Sequence, residues 1–313
     1  MGLTRKRLLV AALESTYGTS AAPVGADAIL VEDDLKITPL ESDSLERKIV
    51  QPYFGAKKKL IVKKRVKIEF SVELAGSGDA GTAPKYGRLL KACGMAETVV
   101  AATSVAYNPL TDNSSIASVS LAFHADGQKH LATGCRGNVK FTGKVNDIPK
   151  LQFEFMGIYN APVDLSIPTP TFDTQAQPLE LSQSNTTNLS INGYGSACLE
   201  SIDFDLKQNV VYRELVGCTK QVRITDRQGE GKLMIEAPSI ASHNFFADAV
   251  NSALGGISFT HGITAGNICA ISIPNANFGA PTYGDSDGIM MLEVPFGMIP
   301  SSAGNDELTL TFT

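Results

Sequence analysis

Residues 66–74 read VKIEFSVEL, a strict alternation of apolar and polar side chains. Successive side chains of a strand point to opposite faces of a sheet, so this period of two predicts a strand with one buried and one solvated face. Parallel strands, which helices cover on both faces, are instead nearly continuous apolar runs. The alternation therefore predicts an antiparallel sheet and disfavours the doubly wound folds that bind nucleotides.

A glycine-rich segment follows this strand. Residues 76–81 read GSGDAG, a G-x-G-x-x-G motif, and lead into a predicted helix with an apolar face of Tyr86, Leu89, Leu90 and Cys93. In dinucleotide-binding enzymes the motif needs a buried parallel strand before it and a second strand with an acidic residue after the helix. The sequence has neither feature. The segment is therefore interpreted as a flexible loop between sheet and helix, with a nucleotide-binding enzyme as the weaker alternative.

Strand patterns dominate the rest of the chain. Two hairpins are predicted, one with an Asp-Gly turn, and their strands lie at residues 118–123, 128–132, 138–145 and 151–158. Later strands are predicted at residues 198–207, 210–216, 221–225, 231–236, 269–273, 289–294 and 307–312. A second helix is predicted at residues 239–254, where Gly255 and Gly256 would end it. The predicted fold class is therefore mainly β.

Composition divides the chain into two blocks. Proline is concentrated with serine, threonine, glutamine and asparagine between residues 162 and 188, which predicts an extended linker or a peripheral strand. We therefore expect a first domain at residues 1–160, a proline-rich linker at 161–175 and a second domain at 176–313. Each domain has one predicted helix.

Short echoes relate the two blocks. Residues 34–36 (DLK) recur at 205–207, residues 45–50 (LERKIV) are echoed at 211–216 (VYRELV), and residues 67–69 (KIE) are echoed at 234–236 (MIE). The last two echoes have offsets of 166 and 167 residues, and a near-constant offset with the same order of elements favours a duplication. We therefore expect two tandem β-sandwich or barrel domains, each with one flanking helix.

Signatures of catalysis and metal binding are absent from the sequence. The five cysteines have no C-x-x-C spacing, and the four histidines have no partner at metal-ligand spacing. His124 and His130 flank a predicted turn and are expected to be solvated. No apolar run approaches the ~18 residues of a membrane span, and the apolar run after residues 5–7 is too short for a signal peptide. We expect no enzyme activity, no cofactor, no metal and no membrane partner.

One segment has an exceptional charge pattern. Although the net charge of the chain is −5, six basic residues flank a short apolar stretch: Lys57, Lys58, Lys59, Lys63, Lys64 and Arg65. Such a segment can bind nucleic acid, but few aromatic residues lie among these. A long basic hairpin arm that reaches an acidic partner surface fits the pattern as well or better.

Four stretches together indicate a family. They are residues 5–19 (RKRLLVAALESTYGT), 72–94 (VELAGSGDAGTAPKYGRLLKACG), 134–159 (GCRGNVKFTGKVNDIPKLQFEFMGIY) and 222–238 (VRITDRQGEGKLMIEAP). In these stretches the sequence resembles the major tail tube proteins of long-tailed, siphovirus-like bacteriophages. The resemblance extends over most of the chain.

The resemblance implies a structural virion protein without enzymatic activity. Its rings would stack into a hollow tail tube, through which DNA leaves the capsid without specific binding. The implied partners are further copies of the chain and the tape-measure and tail terminator proteins. The implied location is the virion tail, after synthesis in the host bacterial cytoplasm. The alternative is a β-sandwich binding or decoration module of a virion.

Three expectations follow from this resemblance. The lumen should be acidic or near neutral, because a basic wall would retain DNA phosphates, and the candidates on solvated strand faces are Glu69, Glu73 and Glu154. Residues 57–65 should lie at a contact between subunits or rings. Two domains per chain would fill two of six ring positions, so a trimer with pseudo-six-fold symmetry is expected; the alternative is a hexamer with the second domain outside.

Overall fold

The structure is a computed structural model that describes residues 3–172 and 175–313. As the sequence predicts, the fold is mainly β, with extensive antiparallel pairing and two short helices. The first part of the chain forms β1 (Arg7–Leu13), β2 (Ala28–Ile29), β3 (Lys36–Glu46), β4 (Lys59–Glu73), α1 (Gly87–Ala92), β5 (Met95–Val100), β6 (Ser104–Pro109), β7 (Val119–Ala125), β8 (Gln128–Lys144), β9 (Lys150–Tyr159) and β10 (Val163–Asp164).

The remaining elements follow residue 175. They are β11 (Thr186–Ile191), β12 (Leu199–Asp205), β13 (Gln208–Arg213), β14 (Gln221–Arg227), β15 (Glu230–Glu236), α2 (Phe245–Val250), β16 (Leu254–His261), β17 (Cys269–Phe278), β18 (Thr282–Ser286), β19 (Ile289–Met298) and β20 (Thr309–Phe312). Both predicted hairpins are present, as β7–β8 and β8–β9. They share β8, which is one long strand.

Strand pairing follows the same order in the two parts of the chain. The first set pairs as β1–β7–β8–β9–β4–β3. The second set pairs as β11–β16–β17–β19–β15–β12. All these pairs are antiparallel, and each set has one helix at the same point along the chain, after β4 and after β15.

The two sets share one sheet and one core. Strand β12 pairs with the far end of β8, and β20 pairs with β6. Across the first of these contacts the rings of Phe141 and Phe204 stack with centroids 4.8 Å apart, and Phe259 lies 6.0 Å from Phe141. A single cluster of buried apolar residues includes all three rings and extends through both sets. Each set therefore contributes to the stability of the other.

Eight strands form a continuous antiparallel run with a solvated face. Their order is β3–β4–β9–β8–β12–β15–β19–β18, and we call this run the eight-strand sheet. Its inner face carries the predicted apolar residues of the alternation, such as Ile68 and Phe70, which are buried. Within the described part of the chain, the outer edges of β3 and β18 have no strand partner.

The proline-rich segment lies against the first set. Strand β10 pairs with the start of β8, and the Thr171 amide donates to the Gly25 carbonyl over 3.1 Å. A side chain at Gly25 would collide with the Thr169 carbonyl, because its Cβ would lie 1.9 Å from that oxygen. This part of the predicted linker therefore contains a peripheral strand, and the residues that follow it contact the first set. Residues 173 and 174 of the linker lie outside the described residues.

Two sequence expectations about local structure are wrong. The second helix covers only Phe245–Val250, and Gly255 and Gly256 lie within β16 instead of ending a helix. Gly255 is needed there because a Cβ would lie 2.1 Å from Asn192 Oδ1. The echo of residues 34–36 in 205–207 also fails, because the first precedes β3 whereas the second follows β12.

The glycine-rich loop is a tight packing contact and not a flexible connection. The Gly78 amide donates to the Gly266 carbonyl over 3.0 Å, and the Gly76 amide donates to Asn267 Oδ1 over 2.8 Å. These amides are therefore occupied by the β16–β17 turn of the second set. The following helix is only six residues long. The glycines of the G-x-G-x-x-G motif thus allow the backbone of this loop to lie close to the backbone of the β16–β17 turn.

Substitution of Gly76 by alanine is expected to destabilise the chain by about 1–3 kcal/mol. The new Cβ would lie 1.9 Å from the Gly266 carbonyl oxygen, and backbone on both sides resists displacement. Urea unfolding would measure the change. The matched control is Gly195→Ala, whose Cβ would meet no atom closer than 3.8 Å. Equal stability of the two variants would show that the loop is not a packed contact.

Candidate assembly surfaces

The predicted acidic residues lie on the solvated face of the eight-strand sheet. Glu69 and Glu154 are directly opposite each other on β4 and β9. Lys67 lies between them, with its Nζ 2.7 Å from a carboxylate oxygen of each. The hydrogen bond to Glu154 and, to a smaller extent, the hydrogen bond to Glu69 raise the pKa of Lys67. The structure therefore brings two of the three candidates together, around a lysine that the sequence analysis did not select.

The third candidate, Glu73, lies farther along the same face. It stands opposite Lys150, whose Nζ instead contacts Glu32 Oε1 over 2.8 Å. Beyond β9 the face continues with both signs of charge, and its members include Lys140, Lys144, Asp203, Asp205, Glu230, Lys232, Glu236 and Glu293. The face is therefore mixed in charge with a small acidic excess, and it is not a basic surface.

One ion pair of this face occurs in both sets. Lys67 lies opposite Met156 and contacts Glu154, two residues away on β9. Lys232 lies opposite Pro295 and contacts Glu293, again two residues away on β19, with Nζ and Oε2 3.2 Å apart. The same diagonal pair thus appears at the same register of the two sets. A position on β4 corresponds to one on β15, and a position on β9 to one on β19.

The basic segment forms half of a projecting hairpin. Strands β3 and β4 continue to pair beyond Arg65, where the pairing of β4 with β9 ends. We call residues 41–65 the arm. A register shift near Lys63, whose φ is 50°, gives the hairpin a bulge, and bulges bend and twist a strand pair. The predicted hairpin is present, and residues 47–58 form its tip.

Ion pairs within the arm bind half of the predicted basic residues. Lys59 contacts Glu46 over 2.5 Å, Lys63 contacts Asp43 over 3.1 Å, and Arg65 contacts Glu41 over 2.8 Å. Hydrogen bonds from Lys63 and Arg65 lower the pKa of Asp43. Lys57 donates to the Ile49 carbonyl, and no ion pair involves Lys58 or Lys64 within the described residues. With eight basic and three acidic residues, the arm remains strongly positive.

Apolar side chains are also exposed on the arm. Val50 and Phe54 at the tip are fully exposed, and Leu45, Tyr53 and Ile61 are each more than half exposed. An isolated two-stranded ribbon is marginally stable in water, and contiguous exposed apolar surface usually marks an interaction site. The arm therefore combines positive charge with exposed apolar side chains.

The second set has a hairpin at the corresponding place, but it is docked. Strands β13 and β14 pair with each other and lie between β12 and β15 in the sequence. The arm has the corresponding place in the first set, as the outer part of the β3–β4 hairpin. Val222 and Ile224 of this hairpin are buried. Tyr17 Oη accepts from the Val222 amide over 2.5 Å, and Asn113 Nδ2 donates to the Ile224 carbonyl over 2.5 Å. The second hairpin thus packs on the first set, whereas the arm, among the described residues, forms no side-chain hydrogen bond or ion pair outside itself.

Two titratable side chains, Cys93 and His124, are buried. Burial raises the pKa of the Cys93 thiol well above its usual range, so this cysteine is a poor nucleophile. His124 is buried and not solvated as expected; burial, and secondarily Lys129, lowers its pKa. Among the described residues, no group of three histidine, cysteine or acidic side chains could hold a metal ion. None of their helices has the length and apolarity needed to cross a membrane.

Comparison with known protein families gives a match over most of the chain. The profile of a family described as phage tail tube protein matches residues 4–298. No curated protein matches the sequence. The matched region contains the arm, the glycine-rich loop and all strands of the eight-strand sheet.

Proposed function

Because this chain belongs to the phage tail tube protein family, we propose that it polymerises as stacked rings into the conduit through which phage DNA is ejected. It is a structural component of the virion tail, and a tail tube is built by self-assembly of its subunits. The observation that carries the proposal is the eight-strand sheet, whose two outer edges have no strand partner among the residues that the structure describes. Unpaired edges bind further strands, and a closed ring satisfies all of them.

The proposed ring contains three chains. The two sets have the same order of pairing, the same helix position and the same diagonal ion pair. They are therefore proposed to be tandem tube units that occupy two of six similar positions. The alternative, six chains with the second set outside, would remove β12, β15 and β19 from the lumen wall. Their continuity with β8 favours the three-chain ring.

The arm is proposed to contact a neighbouring subunit or ring. Four of its basic residues lie on β4 (Lys59, Lys63, Lys64 and Arg65), Lys57 and Lys58 lie in the adjoining tip, and the hairpin has exposed apolar side chains. A partner surface with acidic residues would pair with Lys58 and Lys64, which have no ion pair within the described residues. Apolar contact with Val50 and Phe54 would supply most of the affinity, because rim charges contribute little by themselves.

The solvated face of the eight-strand sheet is proposed to line the lumen. Glu69 and Glu154 share Lys67, so the wall would present mixed charge with a small acidic excess and would not hold a phosphate backbone. Tape-measure and terminator proteins are proposed as partners of the lumen and of the tube end. DNA passes without specific contacts in this proposal.

A basic lumen is expected to bind DNA. The double substitution Glu69→Lys with Glu154→Lys leaves three lysines together on the face, since both partners of Lys67 are lost. Assembled tubes of this variant should bind a fluorescent DNA duplex more than about tenfold more tightly than the parent tubes, with strong salt dependence. Fluorescence anisotropy measures this change.

The matched control reverses two exposed charges outside this face, Asp164→Lys with Glu214→Lys. Its tubes should bind the duplex as weakly as the parent tubes do. Equal affinity of the two double variants would refute the assignment of this face to the lumen.

Negative-stain electron microscopy of the purified, concentrated chain tests the function itself. Hollow tubes or stacked rings are the expected particles. A monodisperse monomer at all concentrations and salt conditions would contradict the tube and would favour the alternative of a virion decoration module.

A further inference from the structure

The chain contains an internal junction between its two sets. Residues 140–144 of β8 pair with residues 201–205 of β12, so that Thr142 stands opposite Asp203 and Phe141 opposite Phe204. Strand β12 is the last strand of the second set, as β3 is the last strand of the first. The junction therefore shows how the outer strand of one set binds the adjacent set.

The repeated ion pair fixes which residues of β3 and β12 correspond. Lys67 corresponds to Lys232, because each forms the diagonal pair at the same register. Thr38 stands opposite Lys67, and Asp203 stands opposite Lys232. Thr38 in β3 therefore occupies the position that Asp203 occupies in β12.

The same comparison identifies the counterpart of β8. Glu154 corresponds to Glu293, so Lys150 and Ile289, each four residues earlier, also correspond. Thr142 stands opposite Lys150, and Ser286 stands opposite Ile289. Strands β17 and β18 together thus retrace β8, and Ser286 in β18 occupies the position of Thr142.

We propose that β18 of one chain pairs with β3 of the next chain, antiparallel, with Ser286 opposite Thr38. This register repeats the internal pair of Thr142 with Asp203, and it rests on the proposed ring of tube subunits. The partner is a second copy of this chain. Both edges are unpaired within the described residues, and the eight-strand sheet would continue from chain to chain without a gap.

Exposure and charge at the two edges agree with this junction. Leu40 on β3 is 42% exposed and Tyr283 on β18 is 61% exposed, which is high for such side chains on a sheet. In the proposed register Lys36 lies opposite Gly288, beside the exposed carboxylate of Asp287. The internal junction has an ion pair of reversed polarity near the same position, with Lys144 Nζ 4.0 Å from Glu200 Oε1.

Proline in β3 is compatible with pairing on both sides. Pro39 has no amide hydrogen, and proline within a sheet is confined to edges, strand starts and bulges. The register of β3 against β4 shifts between Thr38 and Glu41, so Pro39 lies in a bulge. The residues on either side of it remain free to pair with a neighbouring strand.

Disulfide trapping in assembled tubes tests the register. Opposite residues of an antiparallel pair have Cβ atoms about 4.5–5.5 Å apart, close enough for a disulfide after small adjustment. The variant Ser286→Cys with Thr38→Cys, in a background of Cys198→Ser and Cys218→Ser, should give a closed covalent trimer on a non-reducing gel. The background removes the two exposed native cysteines.

Two controls calibrate this result. The variant Thr142→Cys with Asp203→Cys has the equivalent pair inside one chain, so it should form a disulfide without any increase in mass. The variant Ser286→Cys with Lys36→Cys is displaced by two residues and should give only a small fraction of the trimer. If the double variant does not assemble, tubes mixed from the two single variants should give covalent dimers.

The outcomes separate this junction from the tube function. Parent tubes that form, with an oxidised Thr142/Asp203 control but no Ser286–Thr38 product in double or mixed tubes, would overturn the register and leave the tube intact. A parent chain that never forms rings or tubes would overturn the proposed function and the junction with it.

Discussion

Reversal of three arm lysines is expected to stop tube growth while leaving the subunit folded. Lys57, Lys58 and Lys59 lie where the arm tip meets β4, and all three are exposed. Like charges placed opposite each other at an interface cost several kcal/mol, so three glutamates that face an acidic partner surface should weaken subunit association by more than about tenfold. Tube length by microscopy and subunit release by sedimentation would measure the loss.

The design of this variant must keep the arm itself intact. Lys59 contacts Glu46 across the hairpin, so Glu46→Lys is included with the triple reversal to preserve an ion pair of opposite polarity. The matched control is Lys207→Glu with Glu230→Lys, which reverses an exposed pair away from the arm. Tubes of normal length from the arm variant at moderate salt would show that the arm does not contact a neighbouring subunit or ring.

Truncation of Phe141 to alanine is expected to destabilise the monomer by about 3–5 kcal/mol, the usual loss for a buried aromatic side chain. Phe141 is 1% exposed and stacks on Phe204 at the internal junction of the two sets. Because the core is continuous through that junction, the loss should lower one cooperative transition for the whole chain. Urea unfolding followed by circular dichroism measures both the midpoint and the number of transitions.

Phe54→Ala is the control of identical chemistry. Phe54 is fully exposed at the arm tip, so its truncation should change monomer stability by less than about 0.5 kcal/mol while shortening tubes. Two separate transitions in the parent chain, with only one of them shifted by Phe141→Ala, would contradict the shared core.

The antiparallel sheet was predictable because alternation is a local property. Residues 66–74 alternate, and residues 66–73 lie in the part of β4 that pairs with β9 and has one buried face. The arm was also predictable, since turn residues and basic clusters flank its strands. The length of the helix predicted at residues 239–254 was overestimated, because its apolar spacing and the glycines that follow it also fit a helix and its end. Gly255 is instead required in β16 by the proximity of Asn192.

The assembly surfaces depend on contacts that sequence spacing does not encode. Lys67 became part of the candidate lumen only because β9 places Glu154 beside Glu69. The role of the glycine-rich loop depends on Gly266, which is 190 residues away from Gly76 along the sequence. The residue-by-residue correspondence of the two sets could be found only from the strand pairing. The pairing matches Lys67 with Lys232. The sequence echo of residues 67–69 at 234–236 is displaced from this match by two residues.

Helical reconstruction of assembled tubes by electron cryomicroscopy tests the central claim most directly. We expect three chains in each ring, with the first and second sets superposable and alternating around the lumen, and with the eight-strand sheets joined between chains through β18 and β3. Six chains in each ring, with the second set on the exterior, would contradict the account.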